Sequence, residues 1–374
     1  MIRIIVIFII VLAGIWFSLE SYKNSYEQRR KFYIRFVIFI LALQSGLRNW
    51  AVGADTYQYY IRWENVKITS WQKILNSFLY GGEKDPFYTL FQKILQILFD
   101  NYQFFLIVIA VIFMMALGNF VLKNTTRISH AILAFIIYMG YFYGFFSITG
   151  LRQTLATAFL LWSYEYVKKE KLIPFAVLVI IGASFHITAL VFLPLYFASK
   201  IKRPEFVFVC AVFGFPFFMI FKNQLAILFL KYSTLQDRFE AYASQYHQGG
   251  SLILTAFQVF LAIYALMLIK KVLALGNKTY LMYNTFALAL FFLPLQWVNP
   301  SAGRIAQYFA IIIMVWIPYL LDATAGESEK TRKFLYTLAI IGFFFITLFA
   351  IQGLDEYKFF WEEMELPKEY RGRI

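Results

Sequence analysis

The chain has 374 residues, 61% of them hydrophobic and only 15% charged, with a formal net charge of +14. A water-soluble domain carries about a quarter charged residues, so a soluble globular body is excluded. A nucleic-acid surface is excluded too, because the Lys and Arg residues stand in short clusters between apolar blocks, the pattern of cytoplasmic loops in membrane proteins.

Apolar blocks of bilayer-crossing length fall at roughly 2–19, 33–47, 103–122, 130–148, 151–167, 172–198, 205–221, 252–269, 280–298, 305–321 and 334–353. They predict an all-α fold, a polytopic transmembrane helix bundle of about ten to twelve helices. The expected organisation is one transmembrane bundle over 1–353, an outer loop 48–102 and a short C-terminal tail 354–374. Block 2–19 is too long, and lacks the small-residue cleavage site, to read as a signal peptide. Cys210 is the sole cysteine, so no intrachain disulfide or cysteine metal cluster is available. No internal repeat and no low-complexity linker is visible.

Taken in chain order, the basic loop 20–32 with Arg29, Arg30 and Lys31 belongs inside the cell and places the N-terminus outside. Residues 48–102 are then the first large outer segment. It opens on Arg48-Asn49-Trp50-Ala51-Val52-Gly53-Ala54-Asp55-Thr56-Tyr57, where Gly53 permits a tight turn and Asp55 with Thr56 can cap a helix. Trp71, Ile74, Leu75, Phe78 and Leu79 have the spacing of an amphipathic helix. Asp85-Pro86 starts another, with Leu90, Phe91, Ile94, Leu95 and Leu98 as its apolar face. Both helices suit the membrane surface.

The apolar run from about 131 to 167 is too short for two spans and a loop, so the chain turns abruptly near Ser147–Gly150. That puts Arg152 and Gln153 in the first turn of the next helix, just below the outer surface. A charge at mid-bilayer costs about 2.5–3.5 kcal/mol, so Arg152 reads as functional.

Run 172–204 either crosses the membrane or dips in and turns back at its middle, near His186. Crossing would put Lys200, Lys202, Arg203, Lys270, Lys271 and the Lys330–Lys333 cluster outside, so the basic residues favour turning back. Non-helical backbone at that depth requires a surrounding of protein or a wet cavity. A lone intramembrane histidine is either a satisfied core residue or part of a site. Farther on, Arg304, Gln307 and Tyr308 share one helix face. Three arginines, Arg48, Arg152 and Arg304, thus fall on the outer side with no acidic cluster beside them. Arginine is the side chain for two-pronged recognition of phosphate oxygens.

The ordered set Arg48…Gly53-x-Asp55-Thr56-x-x-Tyr59, Asp85-Pro86, Gly150-Leu151-Arg152-Gln153, Phe185-His186-x-Thr188-Ala189 and Arg304-x-x-Gln307-Tyr308-Phe309 resembles the EpsG family of Wzy-type polysaccharide polymerases. The resemblance runs from about residue 30 to 320 and leaves the tail outside. It implies a GT-C-like bundle in the bacterial cytoplasmic (inner) membrane, with the active site facing the periplasm or cell exterior. It also implies transfer of a growing glycan from polyprenyl pyrophosphate to a sugar hydroxyl of another lipid-linked repeat unit. The implied partners are polyprenyl-pyrophosphate-linked oligosaccharide, membrane lipid, a chain-length regulator and a flippase, with no nucleic acid.

In that reaction negative charge builds on the departing pyrophosphate, and Arg152, Arg48 and Arg304 are suited to stabilise it without metal or cofactor. Gln153, Tyr59, Gln307 and Tyr308 complete the expected substrate contacts. The general base is Asp55, in the outer segment, or His186, whose unperturbed pKa is near 6.5. Trp50, Tyr57, Tyr59 and Trp63 offer faces for sugar stacking, although a membrane interface also enriches such residues. The competing readings are a lipid-linked oligosaccharide flippase or other transporter, against which the missing repeat counts, and an O-antigen ligase-like glycosyltransferase.

Overall fold

A computed structural model describes residues 2–19, 25–53, 56–80, 85–224, 227, 251–276, 278–298, 302–351 and 357–363. Among them the regular structure is all helical, apart from one isolated antiparallel bridge between Arg48 and Phe359. The helices are α1 Ile2–Ser18, α2 Tyr26–Gly46, α3 Thr56–Ile68, α4 Trp71–Tyr80, α5 Pro86–Leu98, α6 Tyr102–Asn124, α7 Ile128–Ile137, α8 Leu151–Lys168 and α9 Leu172–Phe185. They continue with α10 Pro194–Ala198, α11 Pro204–Ile220, α12 Leu252–Ala274, α13 Thr279–Phe292, α14 Gly303–Ala310, α15 Ile313–Ala325 and α16 Glu329–Ile351.

Helices α6 and α12 and residues 329–349 of α16 are each long and apolar enough to cross a membrane unbroken. Helices α14 and α15 do so only as a pair bent by 52°, so the single span predicted over 305–321 is broken near its middle. Other predicted spans are shorter apolar helices, among them α1, α9 and α11. Large apolar side chains face outward along them, including Phe8, Phe213, Phe260, Met267 and Phe345. Water would penalise such a surface and lipid does not. The chain is a multi-pass membrane protein.

Two compact units divide it: Met1–Glu165 with Ala176–Leu190 and Phe334–Ile374, and Tyr166–Phe175 with Val191–Lys333. In the first, α2 packs along α6 and α1 packs on α2 and α7. The α2–α6 crossing is close because Gly118 has no side chain; a Cβ there would lie 2.7 Å from Ile38 Cγ2. The abrupt turn predicted before Gly150 is built without a loop. Helix α7 runs on through two π-helical stretches, Tyr138–Phe142 and Gly144–Thr149. The Gly150 N–H then closes onto Phe145 O at 2.9 Å, and α8 begins. Wide π turns are rare and recur at functional sites.

Run 172–198 turns back. Helix α9 ends at Phe185, His186 occupies the break, and a 3₁₀ turn Ile187–Phe192 leads into α10. Phe175 stacks on Tyr196 at 5.8 Å, and the Tyr196 hydroxyl donates to Glu170 O at 2.9 Å. A straight helix would hold residues 175 and 196 about 30 Å apart. Glu170 then receives Lys200 and Lys202 at 2.9 and 2.5 Å. Elsewhere in the second unit α13 packs against α11, and Trp316 is buried against Phe208, Tyr283 and Phe286.

Candidate functional site

The outer segment holds three helices where the sequence suggested two, and their packing is the reverse of a simple core reading. Helix α3 packs on α5, and α4 on α5. Helix α5 buries Tyr88, Thr89, Gln92 and Leu95, while Ile94 and Leu98 of the expected apolar face, and Ile97 beside them, are exposed. Exposed apolar and buried polar faces together fit a helix lying on lipid with a polar site beneath it.

Asp85 precedes Pro86 with φ 55° and ψ 60°, a left-handed conformation that costs energy for a non-glycine residue. Its carboxylate does not cap α5. Instead Oδ2 accepts from Arg152 Nη1 at 2.7 Å and Oδ1 from the Ile187 N–H at 3.3 Å, with the side chain only 1% exposed. One carboxylate thereby ties α5 to the first turn of α8 and to the residue after His186.

The Arg152 guanidinium lies 5.9 Å from the centre of the Tyr59 ring, and Tyr59 meets Tyr88 edge-on at 6.3 Å. Arg62, three residues after Tyr59 on α3, donates to Thr89 Oγ1 at 2.6 Å and stands 5.4 Å from the Tyr88 ring. Phe87 and Phe91 of α5 pack edge-on to Phe185, closing an aromatic wall beside His186. His186 Nδ1 is 2.7 Å from Thr188 Oγ1.

Arg48 is 2% exposed, not interfacial. It donates to Ser45 O at 2.5 Å and Ile148 O at 3.2 Å, and its Nε has no partner. Burial pulls this guanidinium below its ordinary pKa, against the opposing influence of neighbouring phenols that include Tyr102 and Tyr88. Burial likewise pushes the Tyr88 phenol well up, against the pull of Arg152 and Arg62. Arg62 thus stands against the Tyr88 ring, and Arg152 reaches it through Tyr59. The hydroxyls of Tyr88 and Tyr102 and both amide atoms of Gln44 and Gln92 are buried with no hydrogen-bond partner in the protein. Left without any partner, each such group would cost about 1–3 kcal/mol; Tyr88 and Gln92 share the buried side of α5.

A C-terminal strap, residues 357–363, docks on the Arg48 loop. Asn49 N–H donates to Lys358 O at 2.8 Å, and Phe360 N–H to Leu47 O at 2.9 Å. Asn49 Nδ2 donates to Glu362 O at 2.7 Å, and the Tyr357 hydroxyl to Gln44 O.

Of the residues proposed from sequence, Arg48, Tyr59, Arg152, Gln153 and His186 all fall in the first unit, Gln153 buried beside Arg152 at the start of α8. Arg304, Gln307 and Tyr308 lie on α14 in the second unit, Tyr308 buried and the other two half-buried. Asp55 lies outside the described residues. The expected absence of an acidic cluster left one carboxylate out of view, since Asp85 alone pairs with Arg152. Sequence reasoning missed Arg62, although its spacing from Tyr59 puts both on one face of α3, and passed over Tyr88 three residues beyond Asp85. Among the described residues no three His, Cys, Asp or Glu side chains gather as a metal site would require.

The sequence profile of the EpsG family matches residues 31–361. The chain belongs to the EpsG family. That family is associated with exopolysaccharide biosynthesis, and this member is one of its multi-pass membrane proteins. The match extends past the stretch of sequence resemblance and takes in the strap as far as Trp361. Neither a curated protein nor a solved structure matches the chain.

Proposed function

We propose that this EpsG-family protein is a Wzy-type polymerase at the outer face of the bacterial cytoplasmic membrane. It transfers a growing glycan from polyprenyl pyrophosphate to a sugar hydroxyl of a second lipid-linked repeat unit. The observation that carries the reading is the convergence of Arg62 and Arg152 on the Tyr59–Tyr88 pair, with Arg152 tied to the buried Asp85 carboxylate. A pyrophosphate supplies acceptors in the numbers such a site needs, and fixed cations in a dry site act strongly on developing charge.

In the step itself the acceptor oxygen attacks the anomeric carbon. The bond from that carbon to the pyrophosphate oxygen breaks, and its electron pair leaves with the pyrophosphate. Arg152, held at Nη1 by Asp85, keeps its guanidinium partly exposed at the first turn of α8. A helix N-terminus favours phosphate in its own right. The acceptor proton passes to His186. With Nδ1–H donated to Thr188 Oγ1, Nε2 carries the lone pair; Asp55 is the alternative base. Both Asp85 oxygens are engaged, so Asp85 positions the other groups. Arg304, Gln307 and Tyr308, on α14 of the second unit, are proposed substrate contacts in their own right. A flippase that supplies repeat units and a chain-length regulator are the partners this reaction calls for.

The test is reconstitution of purified protein with lipid-linked repeat units in proteoliposomes. Polymer should form with one polyprenyl pyrophosphate released per new glycosidic bond. Movement of the units across the bilayer without bond formation would make the protein a transporter instead.

A further inference from the structure

The strap and the Arg48 loop enclose a groove of ≈ 570 Å³ lined by Asn49, Trp50, Lys358, Phe360, Trp361, Glu362 and Glu363. That volume lies in the range of small-ligand sites, about 300–1,000 Å³, and admits more than one sugar ring. Its chemistry is specific. Trp361 stacks on Phe359 at 4.5 Å and 4°, yet stays 61% exposed, so one indole face is braced and the other is open. Trp50 is braced in the same way by Tyr60, at 4.6 Å. A rigid aromatic face offers large contact area at little cost in entropy, and the C–H face of a pyranose fits it.

Polar groups stand beside both rings. The Glu362 carboxylate receives the Phe359 N–H at 2.6 Å through Oε2, and Lys358 Nζ reaches Glu363 O at 3.0 Å. These contacts leave carboxylate oxygen to accept sugar hydroxyls. An aromatic strap serving only as a bilayer anchor would not place two adjacent carboxylates against lipid headgroups.

We infer that this groove is a glycan subsite, holding sugar rings of the lipid-linked oligosaccharide next to the Arg48 loop. The inference deepens the polymerase reading and rests on it. Asn49 bonds to both Lys358 and Glu362 of the strap, and Arg48 is the residue before it, so an occupied groove and an ordered Arg48 loop go together.

The experiment titrates protein in nanodiscs with oligosaccharides released by mild acid from the polymer of the producing cells, and reads binding by calorimetry. Wild type and Lys73→Ala should bind alike, because exposed Lys73 on α4 does not line the groove. Trp361→Ala and Glu363→Gln should each weaken binding about tenfold or more, and Trp361→Phe should restore most of it. Both substituted side chains are exposed, so the fold survives. Unchanged binding in Trp361→Ala and Glu363→Gln, or no binding by wild type, overturns the subsite. Quenching of Trp361 by brominated phosphatidylcholine that the oligosaccharides do not relieve also overturns it and makes the strap a lipid anchor. Failure of the polymerase reading appears separately, as bound oligosaccharide with no bond formation in proteoliposomes.

Discussion

Asp85 and Arg152, 67 residues apart, form a buried ion pair at 2.7 Å that joins the surface helices to the membrane bundle. The pair makes the two single deletions unequal to their conservative counterparts. Removing one partner of a buried pair costs about 3–5 kcal/mol, because the other charge is left stranded. Arg152→Ala and Asp85→Ala should therefore both lower protein level and thermal midpoint, whereas Arg152→Ala/Asp85→Ala should recover much of the loss. Thermal unfolding in detergent checks this. Independent, additive losses would mean the pair carries no coupling.

Gly53 sits at φ +102°, and a Cβ there would fall 2.3 Å from Ile148 Cγ2. Gly53→Ala must meet both the left-handed backbone penalty, about 1–2 kcal/mol, and the clash with the π-helical corner. Ile148→Ala removes the clashing methyl but leaves the backbone penalty. The double variant should thus recover stability only in part. Full recovery, measured by thermal midpoint, would show that packing alone requires glycine here.

The hairpin at His186 brings the basic residues on its two feet together through Glu170. Lys202 and Lys200 pull the Glu170 carboxylate down to about 2. A depressed carboxylate contributes above its ordinary pKa near 4.5 and loses that contribution as pH falls through about 2, so the clamp is intact at neutral and mildly acid pH. Cysteines introduced at Lys169 and Lys202, with Cys210 replaced, should label from the same side of the membrane across that range. Labelling from opposite sides would contradict the hairpin.

What the sequence displayed and what it hid follow from range. The spans were legible because blocks of about twenty apolar residues have no other solution, and the turn-back at His186 was legible because basic clusters report topology. Helix α3 was not. Its Thr56, Tyr57, Trp63 and Val66 are buried, but Gln, Arg, Glu and Lys interleave them without a clean apolar stripe. Helix α5 was legible as an amphipathic surface helix but its buried polar side, Tyr88, Thr89 and Gln92, was not, since periodicity reports only the apolar face. The role of Asp85 was hidden altogether. Asp-Pro reads as a helix start from neighbouring residues, and its true partners, Arg152 and the Ile187 N–H, are known only once the chain has folded.

On the proposed mechanism polymerisation should persist in excess EDTA, because there guanidinium groups would supply the charge facing the leaving group. The assay is polymer yield from lipid-linked repeat units with and without chelator. Loss of activity that Mg²⁺ or Mn²⁺ restores would assign that charge to a cation.

The most discriminating substitution is Arg152→Lys. Arg152→Ala confounds catalysis with the stranded Asp85 carboxylate, whereas lysine keeps the positive charge and can still reach that carboxylate. Stability should therefore stay near wild type. What lysine lacks is the planar fork, in which Nη1 serves Asp85 while the exposed part of the guanidinium remains for the substrate. If Arg152 holds the pyrophosphate as its bond to the glycan breaks, the change removes one preorganised donor, a loss of about 10²–10³ in rate. Binding of lipid-linked substrate should change far less, because the remaining arginines Arg48 and Arg62 still attract the anion. The measurement is single-turnover transfer by folded variant, with protein amount matched by gel and thermal midpoint recorded in parallel. Single repeat units should accumulate and long polymer should vanish. Transfer at the wild-type rate from a folded Arg152→Lys protein would mean that Arg152 is only the structural partner of Asp85 and that the leaving group is stabilised elsewhere.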